Sequence, residues 1–289
     1  MRILVIGQSG QVARSLAERG PAVGADIVCR GRPQTDLTDT ASIAAALADS
    51  PDLVINAAAY TAVDAAESDA DAARALNADG PKHLAMACAA ADVPLIHLST
   101  DYVFDGTLDR PYREDDPIAP QSVYGRTKAD GEAAVLASGA RALVVRTAWV
   151  YSPFGKNFVK TMLRLGAERD HLRVVGDQHG NPTSALAIAD GLLALASQRD
   201  AWPKGASLLH LTARGEATWH SFASAVFNAA NLTPTVDAIA TSDYPTPAQR
   251  PQNSRLDCGL LAERFGVQLP PWHDSLPSVV SRILDGTVD

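Results

Sequence analysis

The chain has 289 residues, 46% of them hydrophobic and 20% charged, enough to bury a substantial core in one large or two fused domains without staples. Its formal net charge of -8 opposes nonspecific binding to nucleic acid or to an anionic membrane, so an anionic ligand has to be captured by local groups. Three scattered cysteines (Cys29, Cys88, Cys258) without a Cys-x-x-Cys pair, and seven histidines without His-Glu-x-x-His spacing, support neither a disulfide framework nor a metal site.

The first half alternates short apolar runs with longer alanine-rich stretches, the pattern of a parallel sheet covered on both faces by helices: an α/β, Rossmann-type doubly wound fold. Strands are expected at 2–6, 26–29, 53–56, 95–98 and 142–146, and helices at 11–19, 40–49, 64–91 and 122–138. The first apolar run stops at Gly7, far short of a signal-peptide core, and no later run reaches membrane-spanning length. A soluble, unprocessed, cytoplasmic protein is expected.

Residues 3–13 read as a strand, a glycine turn and a helix start. Gly7 permits the tight turn, Gly10 lets backbone approach a pyrophosphate, and Ala13 stands where a small residue allows close helix packing. Phosphates would sit beside Ser9, Gly10, Gln11 and Val12, where free N–H groups and the helix dipole favour negative charge. The second strand closes with Cys29-Arg30-Gly31-Arg32, and no acid follows before Asp36. A carboxylate there would suit a free ribose hydroxyl and an arginine a 2′-phosphate, so NADPH is expected over NADH, with use of both open. Arg30, with Arg32, is the candidate phosphate contact, and a pair of solvated loop arginines is the competing reading. Asp36 and Leu37 could lie beside the adenine, and Ala57-Ala58-Ala59, leading to Tyr60, is small enough to let a cofactor backbone pass.

Tyr124-Gly125-Arg126-Thr127-Lys128 places a tyrosine and a lysine four apart, on one helix face. Ser99-Thr100-Asp101 closes a predicted strand, where open α/β sheets put their ligands. Carbonyl reduction needs a proton delivered to the developing alkoxide. Tyr124 suits that task, with Lys128 depressing its pKa from about 10 and holding the ribose hydroxyls, and Thr100 donating to the same oxygen. From Tyr151 onward proline, tryptophan and polar loops increase, so a dinucleotide-binding domain is expected over 1–150 and a smaller substrate-binding region over 151–289. Within the latter, 207–211 reads as a strand that can return to the main sheet.

These segments, together with Asn56-Ala57-Ala58-Ala59-Tyr60-Thr61-Ala62-Val63-Asp64, Ser99-Thr100-Asp101-Tyr102-Val103-Phe104, Arg146-Thr147-Ala148-Trp149-Val150-Tyr151 and Arg250-Pro251-Gln252-Asn253-Ser254-Arg255-Leu256, resemble the extended short-chain dehydrogenase/reductase superfamily, and within it the dTDP-4-dehydrorhamnose reductases. The resemblance runs almost end to end. It implies reduction of the 4-keto group of a dTDP-linked deoxysugar, with Tyr124 as proton donor and Lys128 as its partner. It further implies that Thr100 and Asp101 contact the sugar; Trp149 is a candidate to pack on it, and Asn157 and Arg250 are candidates for the diphosphate. Some members are magnesium-bridged dimers with a glutamate ligand in the first helix, but Ser15 stands at that position here, which puts both magnesium and that dimer in doubt. A monomer or homodimer is expected. Two other readings share these motifs: a nucleotide-sugar epimerase or dehydratase that recycles bound NAD, and a regulatory subunit similar to the β subunit of methionine adenosyltransferase. Retention of Thr100, Tyr124 and Lys128 together argues against the second, because a binding module needs no proton donor.

Overall fold

The computed structural model describes Met1–Thr287. In the first half β1 (Arg2–Ile6), α1 (Gln11–Arg19), β2 (Asp26–Arg30), α2 (Thr40–Leu47) and β3 (Leu53–Asn56) are followed by three short helices, α3 (Val63–Ala66), α4 (Ala70–Arg74) and α5 (Gly80–Ala90), then β4 (Leu95–Thr100), α6 (Val123–Leu136) and β5 (Ala142–Thr147). The second half holds β6 (Val150–Tyr151), α7 (Phe158–Glu168), β7 (His171–Val175), β8 (His179–Gly180), β9 (Thr183–Ser184), α8 (Ala185–Ser197), β10 (Ala206–His210), β11 (Ala217–Thr218), α9 (Trp219–Ala229), β12 (Thr235–Ile239), α10 (Gly259–Phe265) and α11 (Trp272–Leu284).

Six parallel strands form the main sheet in the order β10-β5-β4-β3-β1-β2. Their unbroken apolar runs follow from burial on both faces. Ile3, Val5, Ile55 and Val145 pack with Leu16 of α1 and Ile188 of α8, while Leu4, Ile6, Val54 and Val144 pack with Ile43 of α2 and Leu84 of α5. Winding reverses between β1 and β3, which opens a crevice at the carboxyl ends of those strands. A second core, built around Phe222, Val226, Trp272, Leu276 and Tyr151, lies among α7, α9 and α11. Strand β10 leaves that half and pairs with β5, Ala206 opposite Ala142 through His210 opposite Arg146.

The single helix expected over 64–91 is broken. Pro81 has no N–H to give the carbonyl of Asn77, and the ladder widens into a π turn over Ala75–Asp79. Helix α6 closes on this defect: a Cβ at Gly131 would sit 2.0 Å from the Asn77 carbonyl oxygen, so only glycine allows the approach.

Candidate active site

The crevice begins at Gly7, whose φ of +130° belongs to glycine and whose N–H donates to the Arg30 carbonyl at 2.8 Å. Ala57 lies against it, since a Cβ on Gly7 would come 3.4 Å from the Ala57 carbonyl carbon. Gly10 caps α1 without a side-chain bond, the first turn carries no acid, and a Cβ at Gly10 would meet nothing within 4 Å. Ser9 and Gly10 are exposed and Val12 is half-buried. An open helix N-terminus floored by small residues fits a dinucleotide pyrophosphate. The Ala57-Ala58-Ala59 loop is held in place by Asn77, whose Oδ1 accepts from Tyr60 N at 2.8 Å and whose Nδ2 donates to the Tyr60 carbonyl at 3.1 Å and to Thr127 Oγ1 at 3.2 Å. The π turn is what aims Asn77 at both the loop and α6. Tyr60 itself donates to Asp69 at 3.2 Å.

At the end of β2, Arg30 ion-pairs with Asp49 and Arg32 is exposed on the following turn. Hydrogen bonds from Thr38 N and Oγ1 hold the Asp36 carboxyl below its ordinary range, and Leu37 is buried under Gly80.

Thr100 ends β4, and Ser122 caps α6 by accepting from Gly125 N at 3.1 Å. Gly125 lets that helix sit on the turn after β4, because a Cβ there would lie 2.3 Å from the Tyr102 carbonyl oxygen. Tyr124 is thereby set edge-on to Tyr102, ring centroids 5.5 Å apart, on the side of the site where Thr100 acts on its phenol. Thr100 Oγ1 also donates to Asp101 Oδ1 at 2.9 Å. One turn on, the buried Lys128 donates from Nζ to the Leu98 carbonyl at 2.6 Å.

Burial dominates the electrostatics here. It pushes the Tyr124 phenol up to about 12 against the opposing bond from Thr100, and it lowers Lys128 to about 8 against the field of Glu132. It also raises Asp101 to about 6, with the nearby hydroxyls of Thr100 and Ser254 working the other way. The expected depression of the phenol by Lys128 is therefore not found, because the ammonium is turned toward Leu98 and the ring is desolvated. His97, buried beside Asn56 at 3.0 Å, is held well below its ordinary value by burial and by Lys128.

The other candidates are placed as follows. Asp101 is 2% exposed and its Oδ2 has no partner among the described residues. Trp149, half-buried after β5, is stacked on Trp219. Arg250 makes a two-pronged pair with Asp64, at 3.1 and 2.8 Å, and this holds the Asp64 carboxyl below its ordinary range. Asn157 is bonded within the protein: its Oδ1 caps α7 at Lys160 N, and its amide donates to Ser152 and Phe154 carbonyls and to Gln11 Oε1. Gln11 Oε1 accepts also from Ser152 Oγ at 2.8 Å, so the first residue of α1 is hooked to the loop after β6. Sequence reasoning missed the Glu132–Arg146 pair, although Tyr124, Lys128 and Glu132 recur every four residues on one face, and it missed Trp219 as the partner of Trp149.

The chain matches the profile of the RmlD substrate binding domain family over residues 1–284. It is 45% identical to a dTDP-4-dehydrorhamnose reductase of Sinorhizobium fredii (strain NBRC 101917 / NGR234), covering 98% of each chain. A relative of that name from Burkholderia thailandensis is 43% identical, over 98% of this chain and 99% of the other. Among solved structures, the dTDP-4-dehydrorhamnose reductase of Clostridium acetobutylicum superposes with a TM-score of 0.93 at 35% identity, covering 98% of this chain and 100% of that one. The enzyme of Bacillus anthracis, solved in complex with NADP, gives 0.92 at 32% identity, covering 97% and 99%.

Proposed function

The chain belongs to the dTDP-4-dehydrorhamnose reductase family, and on that basis we propose that it reduces the 4-keto group of dTDP-4-dehydro-L-rhamnose with NADPH to give dTDP-L-rhamnose, the final step of dTDP-rhamnose biosynthesis. The observation that carries this is the meeting of Thr100, Tyr124 and buried Lys128 at the end of β4, beside a crevice whose glycine-lined helix start accepts a pyrophosphate.

The nicotinamide, when bound, supplies the hydride. Tyr124 delivers its hydroxyl proton to the sugar oxygen as negative charge develops there. Thr100, beside it, turns its hydroxyl from Asp101 to the same oxygen and stabilises that charge. Lys128 leaves the Leu98 carbonyl to hold ribose hydroxyls, and its cation then lowers the cost of the phenolate that Tyr124 becomes. Gly7, Gly10 and Ala57-Ala58-Ala59 let the cofactor backbone pass, with Ser9, Gln11 and Val12 supplying main-chain N–H groups to the phosphates. Arg30 and Arg32, at the end of β2, favour the 2′-phosphate, with Asp36 and Leu37 near the adenine. Asp101 and Trp149 take the sugar and Arg250 the diphosphate, released from Asp64 as the substrate enters. Residues 1–150 are read as the cofactor half and 151–289 as the substrate half, in a cytosolic protein whose three cysteines stay thiols.

The test is loss of reduced-nicotinamide absorbance with purified protein, NADPH or NADH, and the dTDP-4-keto-6-deoxysugar. Oxidation requiring both sugar and protein is expected. Cofactor binding without oxidation would overturn this substrate.

A further inference from the structure

Behind Lys128 lies a buried charge arrangement that the mechanism above does not use. Glu132 sits one helical turn beyond Lys128 and receives Arg146 of β5 through two bonds, Nε to Oε1 at 2.8 Å and Nη2 to Oε2 at 2.6 Å. Each side chain is only 3% exposed. Arg146 is fixed further by Phe104, whose ring it covers at 4.9 Å, and by His210 Nε2 at 3.4 Å. His210 lies with Nδ1 3.1 Å from the Asp257 carbonyl, a bond in which the ring must donate, so its Nε2 is the acceptor for Arg146. A fold that needed only apolar packing here would gain from dropping two desolvated charges.

We propose that Glu132 and Arg146 act together as the positioning pair of Lys128: Glu132 supplies the anion that keeps the buried lysine an ammonium, and Arg146 sets how strongly that anion is felt. The charged and titratable groups on the elements around Lys128 leave this role to them. His97 of β4 is kept neutral by burial, and the field of Asp101 bears on Tyr124. Glu67, just after α3, accepts from Val123 N at the start of α6, the Arg74–Asp130 pair of α4 and α6 is at the surface, Glu114 accepts from His210 N on the far side of Arg146, and His210 of β10 is kept neutral by burial. Among the described residues, Glu132 is the group whose field favours the charged lysine, against the burial that lowers it.

The pair makes a signed prediction that a merely structural role does not. Glu132→Gln removes the anion and leaves the Arg146 cation, so Lys128 loses its proton at lower pH. Arg146→Gln leaves the anion unopposed, so Lys128 holds its proton to higher pH. Each displacement should be on the order of one pH unit. The readout is the Cε signal of Lys128 in 13C-lysine-labelled, ligand-free protein, titrated by NMR, together with the alkaline limb of NADPH-dependent turnover, which falls as pH rises through the Lys128 titration. The double variant Glu132→Gln/Arg146→Gln keeps shape and hydrogen bonds without buried charge. It should titrate below the wild type but above Glu132→Gln, which decides the matter if either single variant fails to fold. Coincident NMR titrations in wild type and the folded variants overturn the proposal. NMR displacements without movement of the alkaline limb overturn its bearing on turnover. Only that second readout rests on the reductase reading, so failure of the reaction with every variant, wild type included, is distinguishable from failure of the pair.

Discussion

Trp149 lies flat on Trp219, ring centroids 3.5 Å apart and planes 2° from parallel. Full overlap is not the arrangement two indoles choose alone, and other groups impose it. Trp149 Nε1 donates to Ser254 Oγ at 3.1 Å, Trp219 Nε1 donates to Gln178 Oε1 at 3.0 Å, and the backbone of Gly180 closes on the back of Trp149. Trp149 also adopts φ +46°, unusual for a bulky residue, at the turn out of β5.

A methyl group at Gly180 would enter the Trp149 indole at 2.2 Å, and a rigid ring against Trp219 has little room to yield. Gly180→Ala should cost about 1–3 kcal/mol by overpacking. The KM for the nucleotide sugar should rise more than the KM for NADPH. Melting temperature and the two KM values check this; equal effects on both would detach Trp149 from the sugar.

Tyr124→Phe should retain cofactor binding and lower turnover by about a hundredfold or more, the usual loss on removing a general acid. Single-turnover kinetics with pre-bound NADPH measure it directly. Unchanged turnover would remove Tyr124 from the chemistry.

Asp101 carries a stability penalty that depends on pH. Its carboxyl titrates at about 6 in the fold against 3.8 outside it, so between those values the native state holds the extra proton. Stability therefore falls as pH rises from about 4 to about 6, and above that window the full penalty, on the order of 3 kcal/mol, is present. Asp101→Asn should raise the melting temperature at neutral pH, by less near pH 4, and should weaken sugar binding. A variant equally stabilised at both pH values would show that the carboxyl is not proton-linked to folding.

Arg30→Ala should raise the KM for NADPH about tenfold, the worth of one charge-assisted hydrogen bond, and leave NADH unchanged. Arg30 already has Asp49 as a partner, whereas Arg32 is exposed, so the same change at Arg32 completes the test. A larger loss from Arg32→Ala would move the phosphate contact there.

The sheet was legible because burial on both faces writes each parallel strand as an apolar run, and β1, β3 and β5 differ from their expected ends by at most one residue. The glycine turn and the Tyr124–Lys128 spacing were legible because both are local. The break at Pro81 was local and readable, but its form as a π turn was not, since that depends on the approach of Gly131 to the Asn77 carbonyl, far apart in sequence. The partners of Arg250 and Asn157 were hidden for the same reason: Asp64 and Gln11 lie 186 and 146 residues away along the chain. The direction of the Tyr124 shift failed on a local point as well, because residue spacing says which groups are neighbours but not how much water they have lost.

The path of β10 bears on how such a chain can be handled. Because that strand arrives from beyond the boundary proposed at 150 to complete the sheet beside β5, cutting the protein there would not liberate a cofactor-binding module. It would strip β5, six residues with every side chain buried, down to a bare edge offering unpaired main-chain groups to any passing strand. Fragments ending near 150 should associate with one another or precipitate, and chimeras with related proteins should exchange their parts at a point after 210.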